Sequence, residues 1–162
     1  MDKAPAITGV AEIVLNVDDL PVMINFYQQI LGFNLFHQAC HDLGAVATEG
    51  GIPTIAFLTI SETETPLGRN GHPQVLVLID HRNHFFAKQR YPTITAANWT
   101  LNHLAFEIPP ATFEEHFQRL VRLELEPIES EFPAFSAKAM FFSDPEGNRL
   151  ELICHQHFKT AR

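Results

Sequence analysis

The sequence predicts an α+β fold made of two βαβββ modules. The main observation is an internal repeat: the apolar run Glu12–Val17, followed by an amphipathic stretch, has a counterpart in His103–Ile108. Aligning the two runs places Glu12 on His103, an offset of 91 residues in a chain of 162. Internal repeats outrank composition as indicators of architecture. The sequence therefore indicates two similar modules that bury a shared surface.

Composition excludes several classes of protein. The chain is 46% hydrophobic and 19% charged, as is typical of globular proteins. Its net charge of −8, without a cluster of Lys and Arg, argues against a nucleic-acid partner and against an anionic membrane surface. It has neither a run of 18 apolar residues nor an apolar signal segment, so we expect a cytoplasmic protein. Cys40 and Cys154 are expected to be buried thiols without a disulfide.

The first module begins with a strand at about residues 9–17 and continues with a helix over Val22–Leu31. Asp18 or Asp19 can cap this helix, and Gly32 ends it. The apolar residues of the helix recur at helical spacing, which predicts one buried face. Further strands are predicted at Phe33–Cys40, Leu43–Thr48, Thr54–Ile60 and Gln74–Asp80.

The second module repeats the order, with a strand at Asn102–Ile108 and a helix at Phe113–Leu123. Thr112 and Glu115 have the spacing of a capping box at the start of that helix. Its buried stripe is predicted to comprise Phe113, Phe117, Leu120, Val121 and Leu123. The remaining strands are predicted at Glu126–Phe132, Lys138–Ser143 and Leu150–His155, with a turn at Asp144–Asn148 between the last two.

These elements predict one domain with a simple division. The N-terminal βαβββ module covers residues 1–82, a linker covers 83–98, the C-terminal βαβββ module covers 99–158, and 159–162 form a tail.

Strand parity brings three polar residues to corresponding faces. Side chains alternate along a strand, so Glu12, His103 and Glu151 each lie on the face opposite the helix, among apolar neighbours. A buried carboxylate must become neutral, form an ion pair or bind a metal ion. Two carboxylates and one imidazole suit a divalent Mn, Fe, Ni or Zn ion with open positions for substrate oxygens.

Each residue also has an ordinary structural interpretation. His103 can be a hydrogen-bonded histidine of the core or of a cleft, and Glu12 can be a solvated residue at the end of a strand. Glu151 can form a salt bridge with Arg149 or with a neighbour across the sheet. The shared parity favours the metal site without excluding these alternatives.

The same residues resemble the vicinal oxygen chelate superfamily, which includes glyoxalases, bleomycin-resistance proteins, fosfomycin-resistance enzymes and extradiol dioxygenases. The resemblance covers about residues 8–157 and is sharpest in Asp144-Pro-Glu-Gly-Asn-Arg-Leu-Glu-Leu152. It implies a glyoxalase-like fold, in which two βαβββ modules form curved mixed sheets around a metal cleft, usually in a homodimer.

The resemblance also implies residue roles. His103 and Glu151 match the family's ligands on the corresponding strands, whereas Glu12 stands where the family usually has His. Metal ligands would be Glu12, His103 and Glu151, with Glu12 and Glu151 also candidates for catalysis. The fourth ligand position of glyoxalase I falls on Val75 or Val77, so a four-ligand set is not expected.

Two functions follow as hypotheses. The first is a divalent-metal-dependent enzyme acting on a small oxygen-chelating organic substrate. Ring-cleaving dioxygenase activity is disfavoured, because Phe141 occupies the position of that group's Tyr. The second is a metal-free protein of the bleomycin-resistance type, whose aromatic clefts bind a small molecule. Candidate residues for such a cleft are Phe57, Trp99, Phe135 and Phe141.

Overall fold

The structure, a computed structural model, describes residues 12–44, 46–61, 74–90, 101, 103–132 and 136–155. The chain divides into two compact units, Met1–Ile94 and Thr95–Arg162, and each contains one four-stranded sheet. The predicted α+β class is confirmed. Among the described residues, no helix is both long enough and apolar enough to cross a membrane.

The first unit contains a mixed sheet, two α-helices and the strand order β1-β4-β3-β2. Its elements are β1 (Glu12–Val17), α1 (Leu20–Leu31), β2 (Asn34–Ala39), β3 (Ile55–Ser61), β4 (Gln74–Asp80) and α2 (Phe85–Arg90). Strand β1 pairs with β4 in parallel, whereas β3 is antiparallel to both of its neighbours. The predicted βαβββ order is therefore present in this unit.

The second unit has the same topology, with the order β5-β8-β7-β6. Its elements are β5 (Leu104–Glu107), a 3₁₀ turn (Pro110–Thr112), α3 (Phe113–Arg122), β6 (Ile128–Phe132), β7 (Ala137–Ser143) and β8 (Arg149–His155). Strand β5 pairs with β8 in parallel, and β7 is antiparallel to β8 and β6. The predicted duplication of the βαβββ motif is confirmed.

Helix α1 begins and ends at the predicted signals. The Asp19 carboxylate accepts a hydrogen bond of 3.0 Å from the backbone N–H of Val22, which satisfies one of the free donors of the first turn. Gly32 adopts a left-handed conformation with φ of +72°, and its N–H bonds to the carbonyl of Gln28. Local capping therefore sets both ends of this helix.

The buried face of α1 packs on the sheet of its own unit. Tyr27 is fully buried, and its ring stacks on that of Phe33 at a centroid distance of 5.9 Å. Burial of each large apolar side chain contributes about 1.5–3 kcal/mol. The buried residues of α1 and of strands β1, β3 and β4 include Leu15, Val17, Leu20, Met23, Ile24, Leu58, Leu76 and Leu78.

The strand predicted at Leu43–Thr48 is wrong. The described residues of this segment form bends, and Leu43 and Val46 are exposed, so the segment has no buried face. The Thr48 hydroxyl donates to the Asp42 carboxylate at 3.0 Å, and the Thr48 N–H donates to the Cys40 carbonyl at 2.7 Å. These bonds close a turn instead of pairing with a neighbouring strand.

The predictions for the α3 region are only partly confirmed. Thr112 does not act as a side-chain cap, because its hydroxyl donates to the Pro109 carbonyl at 2.9 Å within the 3₁₀ turn. Phe113 and Leu120 are buried as predicted, but Val121 and Leu123 are exposed. Helix α2 lies within the stretch for which the sequence predicted only a connection. Both cysteines are buried and free, as predicted.

Candidate functional site

The parallel pairing of β5 and β8 positions two of the predicted site residues. Ala105 lies directly opposite Glu151, and Phe141 of β7 lies opposite Glu151 on its other side. His103 precedes Ala105 by two residues, which gives it the same parity. Residues opposite one another in a sheet share a face. His103 and Glu151 therefore lie on the face away from α3, as predicted.

The turn before β8 fixes where that strand begins. The buried Asp144 carboxylate accepts bonds from the backbone N–H groups of Glu146 and Asn148 and from the Asn148 side-chain amide, at 2.7–3.0 Å. Gly147 takes a φ of +83°, which glycine adopts without strain. The predicted Asp144–Asn148 turn is thus held by its own side chains, and Glu151 follows it in a defined register.

His103 and Glu151 are in direct contact. The His103 Nε2 and Glu151 Oε2 atoms lie 3.0 Å apart, which is a hydrogen-bonding distance. The Glu151 side chain is only 6% exposed, whereas that of His103 is 36% exposed. A buried carboxylate is thereby paired with an imidazole that reaches solvent. The partner of Glu151 is thus a neighbour across the sheet, as one of the structural alternatives anticipated.

Phe141 and Arg149 complete the surroundings of this pair. The Phe141 ring meets the His103 ring edge-on, with centroids 5.8 Å apart and planes inclined at 86°. The Arg149 guanidinium lies over the same Phe141 ring, 4.6 Å from its centroid, in a cation–π arrangement. The Phe141 ring thus packs between the imidazole and the guanidinium. Arg149 is exposed and carries a positive charge next to the site.

An open cavity of about 590 Å³ adjoins these residues within the second unit. Phe141, Ser143 and Arg149 contribute to its wall, together with the loop that follows α3. A space of this size accepts a small organic molecule. The cavity and the His103–Glu151 pair share Phe141 as a contact, but neither His103 nor Glu151 lines the cavity.

Glu12 lies at the start of β1 in the first unit and is exposed. Its strand neighbour is Val75, and Val14 lies opposite Val77. Val14 and Ala105 are 91 positions apart, so Val77 holds the position in the first sheet that Glu151 holds in the second. Val75 and Val77, the residues expected at the fourth ligand position, are both buried.

Within each unit, the described residues gather no set of three or more His, Cys, Asp or Glu side chains with metal-binding geometry. The predicted ligand set draws Glu12 from one unit and His103 and Glu151 from the other, so its convergence remains a prediction. Of the aromatic residues predicted for a binding cleft, Trp99 and Phe135 lie outside the described residues.

A second polar cluster was not predicted. Asp18 and His81 follow β1 and β4, and their side chains form an ion pair that also includes Arg82 at 3.1 Å from Asp18 Oδ1. The hydrogen bond from His81 is the largest influence on the pKa of Asp18 and, with the Arg82 charge, lowers it despite partial desolvation. In the sequence, Asp18 and His81 directly follow two predicted strands. The parallel pairing of these strands, β1 and β4, brings the residues after them to one edge of the sheet.

Comparisons with known proteins agree with this architecture. A family model for the glyoxalase/bleomycin resistance protein/dioxygenase superfamily matches residues 9–152. Among curated proteins, no sequence matches the chain significantly. The fosfomycin resistance protein FosX from Listeria monocytogenes is 18% identical, with a TM-score of 0.61 and coverage of 93% of this chain and 96% of that one.

Two further solved structures are similar in fold. Lactoylglutathione lyase from Agrobacterium tumefaciens is 19% identical, with a TM-score of 0.58 and coverage of 94% and 96%. FosX in complex with Mn(II) and sulfate is 17% identical, with a TM-score of 0.59 and coverage of 93% and 95%. At these identities the likeness concerns the fold. The match over most of the sequence goes further: the chain belongs to the glyoxalase/bleomycin resistance protein/dioxygenase superfamily.

Proposed function

We propose that the protein is a divalent-metal-dependent enzyme that acts on a small, oxygen-chelating organic substrate. The observation that carries the proposal is the His103–Glu151 pair, in which a nitrogen and an oxygen donor lie 3.0 Å apart on neighbouring strands. The similar fold of FosX, whose structure contains Mn(II), supports the same proposal.

The two side chains fit a divalent ion. Neighbouring ligand atoms of an octahedral ion, each about 2.1 Å from it, lie roughly 3.0 Å apart, and the His103 Nε2 and Glu151 Oε2 atoms have this separation. Imidazole and carboxylate together suit Mn, Fe, Ni or Zn. We propose Glu12 as the third donor, which would leave positions for substrate oxygens.

A bound divalent ion would supply Lewis-acid chemistry by polarising a substrate oxygen. The chain's own residues would do the rest. Arg149 offers a fixed positive charge at the cavity wall, which suits a carboxylate or another anionic oxygen group of the substrate. Phe141 supports the guanidinium and limits rotation of the His103 ring. The alternative role for Glu12 is that of general base, because an exposed carboxylate that is not bound to the metal can accept a proton from substrate.

A metal-free small-molecule-binding protein is the second candidate. The pairing of His103 with Glu151 favours it, because the contact already compensates the buried carboxylate without a cation. The open cavity beside Phe141 would then be the binding site. In either case we expect a small-molecule ligand and a homodimer, as the family resemblance implies.

Mn²⁺ binding separates the two candidates. Mn²⁺ prefers carboxylate oxygens, and its paramagnetic resonance signal broadens when the free ion is bound. We expect one Mn²⁺ per chain in the wild type, loss of this site in Glu151→Gln and His103→Gln, and weaker binding in Glu12→Gln.

Glu129→Gln is the matched control, because Glu129 is an exposed carboxylate on β6 of the same sheet. This variant should bind Mn²⁺ like the wild type. Wild-type protein that binds no Mn²⁺, Fe²⁺, Ni²⁺ or Zn²⁺ at His103 and Glu151, yet retains a ligand in the cavity, would favour the metal-free candidate.

A further inference from the structure

Two histidines of the first unit, His41 and His84, have neighbouring imidazole rings. His41 follows β2, and His84 is the last residue before α2. The Phe85 N–H bonds to the His41 carbonyl, and Lys88 Nζ donates to the Asp42 carbonyl at 2.6 Å. These bonds tie α2 to the segment after β2. They also hold the two imidazoles with their ring centres 5.5 Å apart.

The imidazoles have an unusual hydrogen-bonding state. The Nδ1 atoms of His41 and His84 are both buried and have no hydrogen-bond partner in the part of the chain that the structure describes. Neither Nδ1 atom therefore bonds to the other ring, although the rings are neighbours. His84 as a whole is only 4% exposed. Buried polar atoms are almost always satisfied, so two such nitrogens on neighbouring rings require an explanation.

The charge state of His84 suits a metal ligand. Burial, followed by the proximity of His41, lowers the pKa of His84, and Lys88 acts in the same direction. The Asp80 carboxylate opposes these effects and supplies a negative charge nearby. The lowered pKa favours the neutral imidazole, which is the form that binds metals.

The spacing of the rings is also suitable. With metal–nitrogen bonds of about 2.0–2.1 Å, two imidazoles on one tetrahedral ion have ring centres roughly 5–6 Å apart. The observed 5.5 Å falls in this range. We propose that His41 and His84 form a transition-metal site that takes Zn²⁺ or a similar imidazole-preferring ion, with water completing its coordination.

This site is independent of the proposed active site. It lies wholly in the first unit and uses nitrogen donors alone, which favour Zn, Ni and Cu over Mn. It would link the start of α2 to the β2–β3 connection, because His84 directly precedes α2 and His41 lies in that connection. The role is structural: the ion would hold α2 in place.

Zn²⁺ binding to a His103→Gln/Glu151→Gln double variant tests the proposal without interference from the other site. Titration against a chromophoric chelator should reveal one Zn²⁺ per chain. Adding His84→Gln or His41→Gln should weaken binding by more than the roughly 10–100-fold that loss of an outer-shell partner costs. His37→Gln is the matched control, because His37 is exposed on β2 of the same unit, and it should leave Zn²⁺ binding unchanged.

A spectroscopic measurement covers the case in which a histidine variant does not fold. Long-range ¹H–¹⁵N spectra of the double variant should show the Nδ1 resonances of His41 and His84 moving on addition of Zn²⁺. Unchanged resonances, or Zn²⁺ uptake that survives both substitutions, would overturn the proposal and leave a bridging buried water as the explanation. Failure here would leave the Mn²⁺ result at His103 and Glu151 untouched.

Discussion

The two sheets share one topology but differ in the chemistry of one matching position on β4 and β8. In the second sheet β8 carries Glu151, paired with His103, whereas in the first sheet β4 carries Val77 at the matching register. The residue matching His103 is Glu12, which is exposed. The same backbone thus supports an apolar centre in one unit and a polar pair in the other. The fold creates the position, and a few side chains decide its chemistry.

The largest expected effect comes from introducing the second unit's carboxylate into the first. Val77→Glu would place a charge at a site that is 2% exposed and whose partners on the neighbouring strands are Val14 and Phe57. An uncompensated buried charge costs about 3–5 kcal/mol, and urea unfolding at pH 7 would measure this loss. Adding Glu12→His should recover about 1–3 kcal/mol as a coupling energy.

Val14→Glu is the control for this series, because Val14 lies on the same face but is 45% exposed. Its free energy of unfolding should change by less than about 0.5 kcal/mol. If Glu12→His gave no recovery in the Val77→Glu background, the two sheets would not be equivalent at this position.

The ends of α1 and α3 give a second, smaller contrast. Helix α1 is followed by Gly32 with φ of +72°, whereas after α3 the left-handed position is taken by Glu124 with φ of +59°. A residue with a side chain costs about 1 kcal/mol more than glycine in this conformation. Glu124→Gly should therefore stabilise the protein, and Gly32→Ala should destabilise it by a similar amount.

Thermal or urea unfolding of both variants would measure these effects. Gly44→Ala is the control, since Gly44 has no positive φ and a methyl group there meets no atom within 4 Å. It should be neutral or slightly stabilising. A destabilised Glu124→Gly variant would mean that the Glu124 side chain makes a contribution larger than its backbone strain.

The smallest effect concerns Asp18, which forms an ion pair with Arg82. The matching position of the second unit is Pro109, which cannot form one. Its pKa is lowered in the folded state, mainly by the hydrogen bond from His81, so the folded protein binds fewer protons than the unfolded chain. The stabilisation is present above the pKa of an unfolded Asp, about 3.9, and is lost as the pH falls through the lower folded pKa.

Asp18→Asn should therefore lower stability between pH 5 and 7 but not at lower pH. Because the Asp18 side chain is 53% exposed, solvent screening keeps the effect below about 1 kcal/mol. Urea unfolding from pH 2 to 7 would measure it. A difference from the wild type that persists unchanged at pH 2 would contradict an electrostatic origin.

Local patterns in the sequence predicted the elements whose boundaries are set locally. The Asp19 and Gly32 signals bounded α1, and β4 covers Gln74–Asp80 as predicted, because a continuous apolar run ends in a turn there. The shared parity of His103 and Glu151 was also predictable, since alternation fixes the face once a strand is identified.

The remaining features depend on contacts between distant residues. Helix α2 is too short to show a helical periodicity in the sequence. The hydrogen bond from Lys88 ties it to the segment after β2. Residues 43–48 form a mostly apolar run, which suggested a strand, but the Asp42–Thr48 bond holds them in a turn. The approach of His41 to His84, across 43 positions in the sequence, follows from how that helix docks.

Among the described strands, β2 and β6 are outer strands of their sheets, as are β1 and β5, and each pairs on one side. Such strands invite association with other chains. In β2 a bulge between Leu35 and His37 interrupts the ladder, and in β6 Glu129 and Glu131 place charges on the exposed edge. The bulge disfavours pairing of another chain with β2, and charge repulsion disfavours pairing with β6. Removing the two glutamates would therefore expose this edge of the second sheet to aggregation.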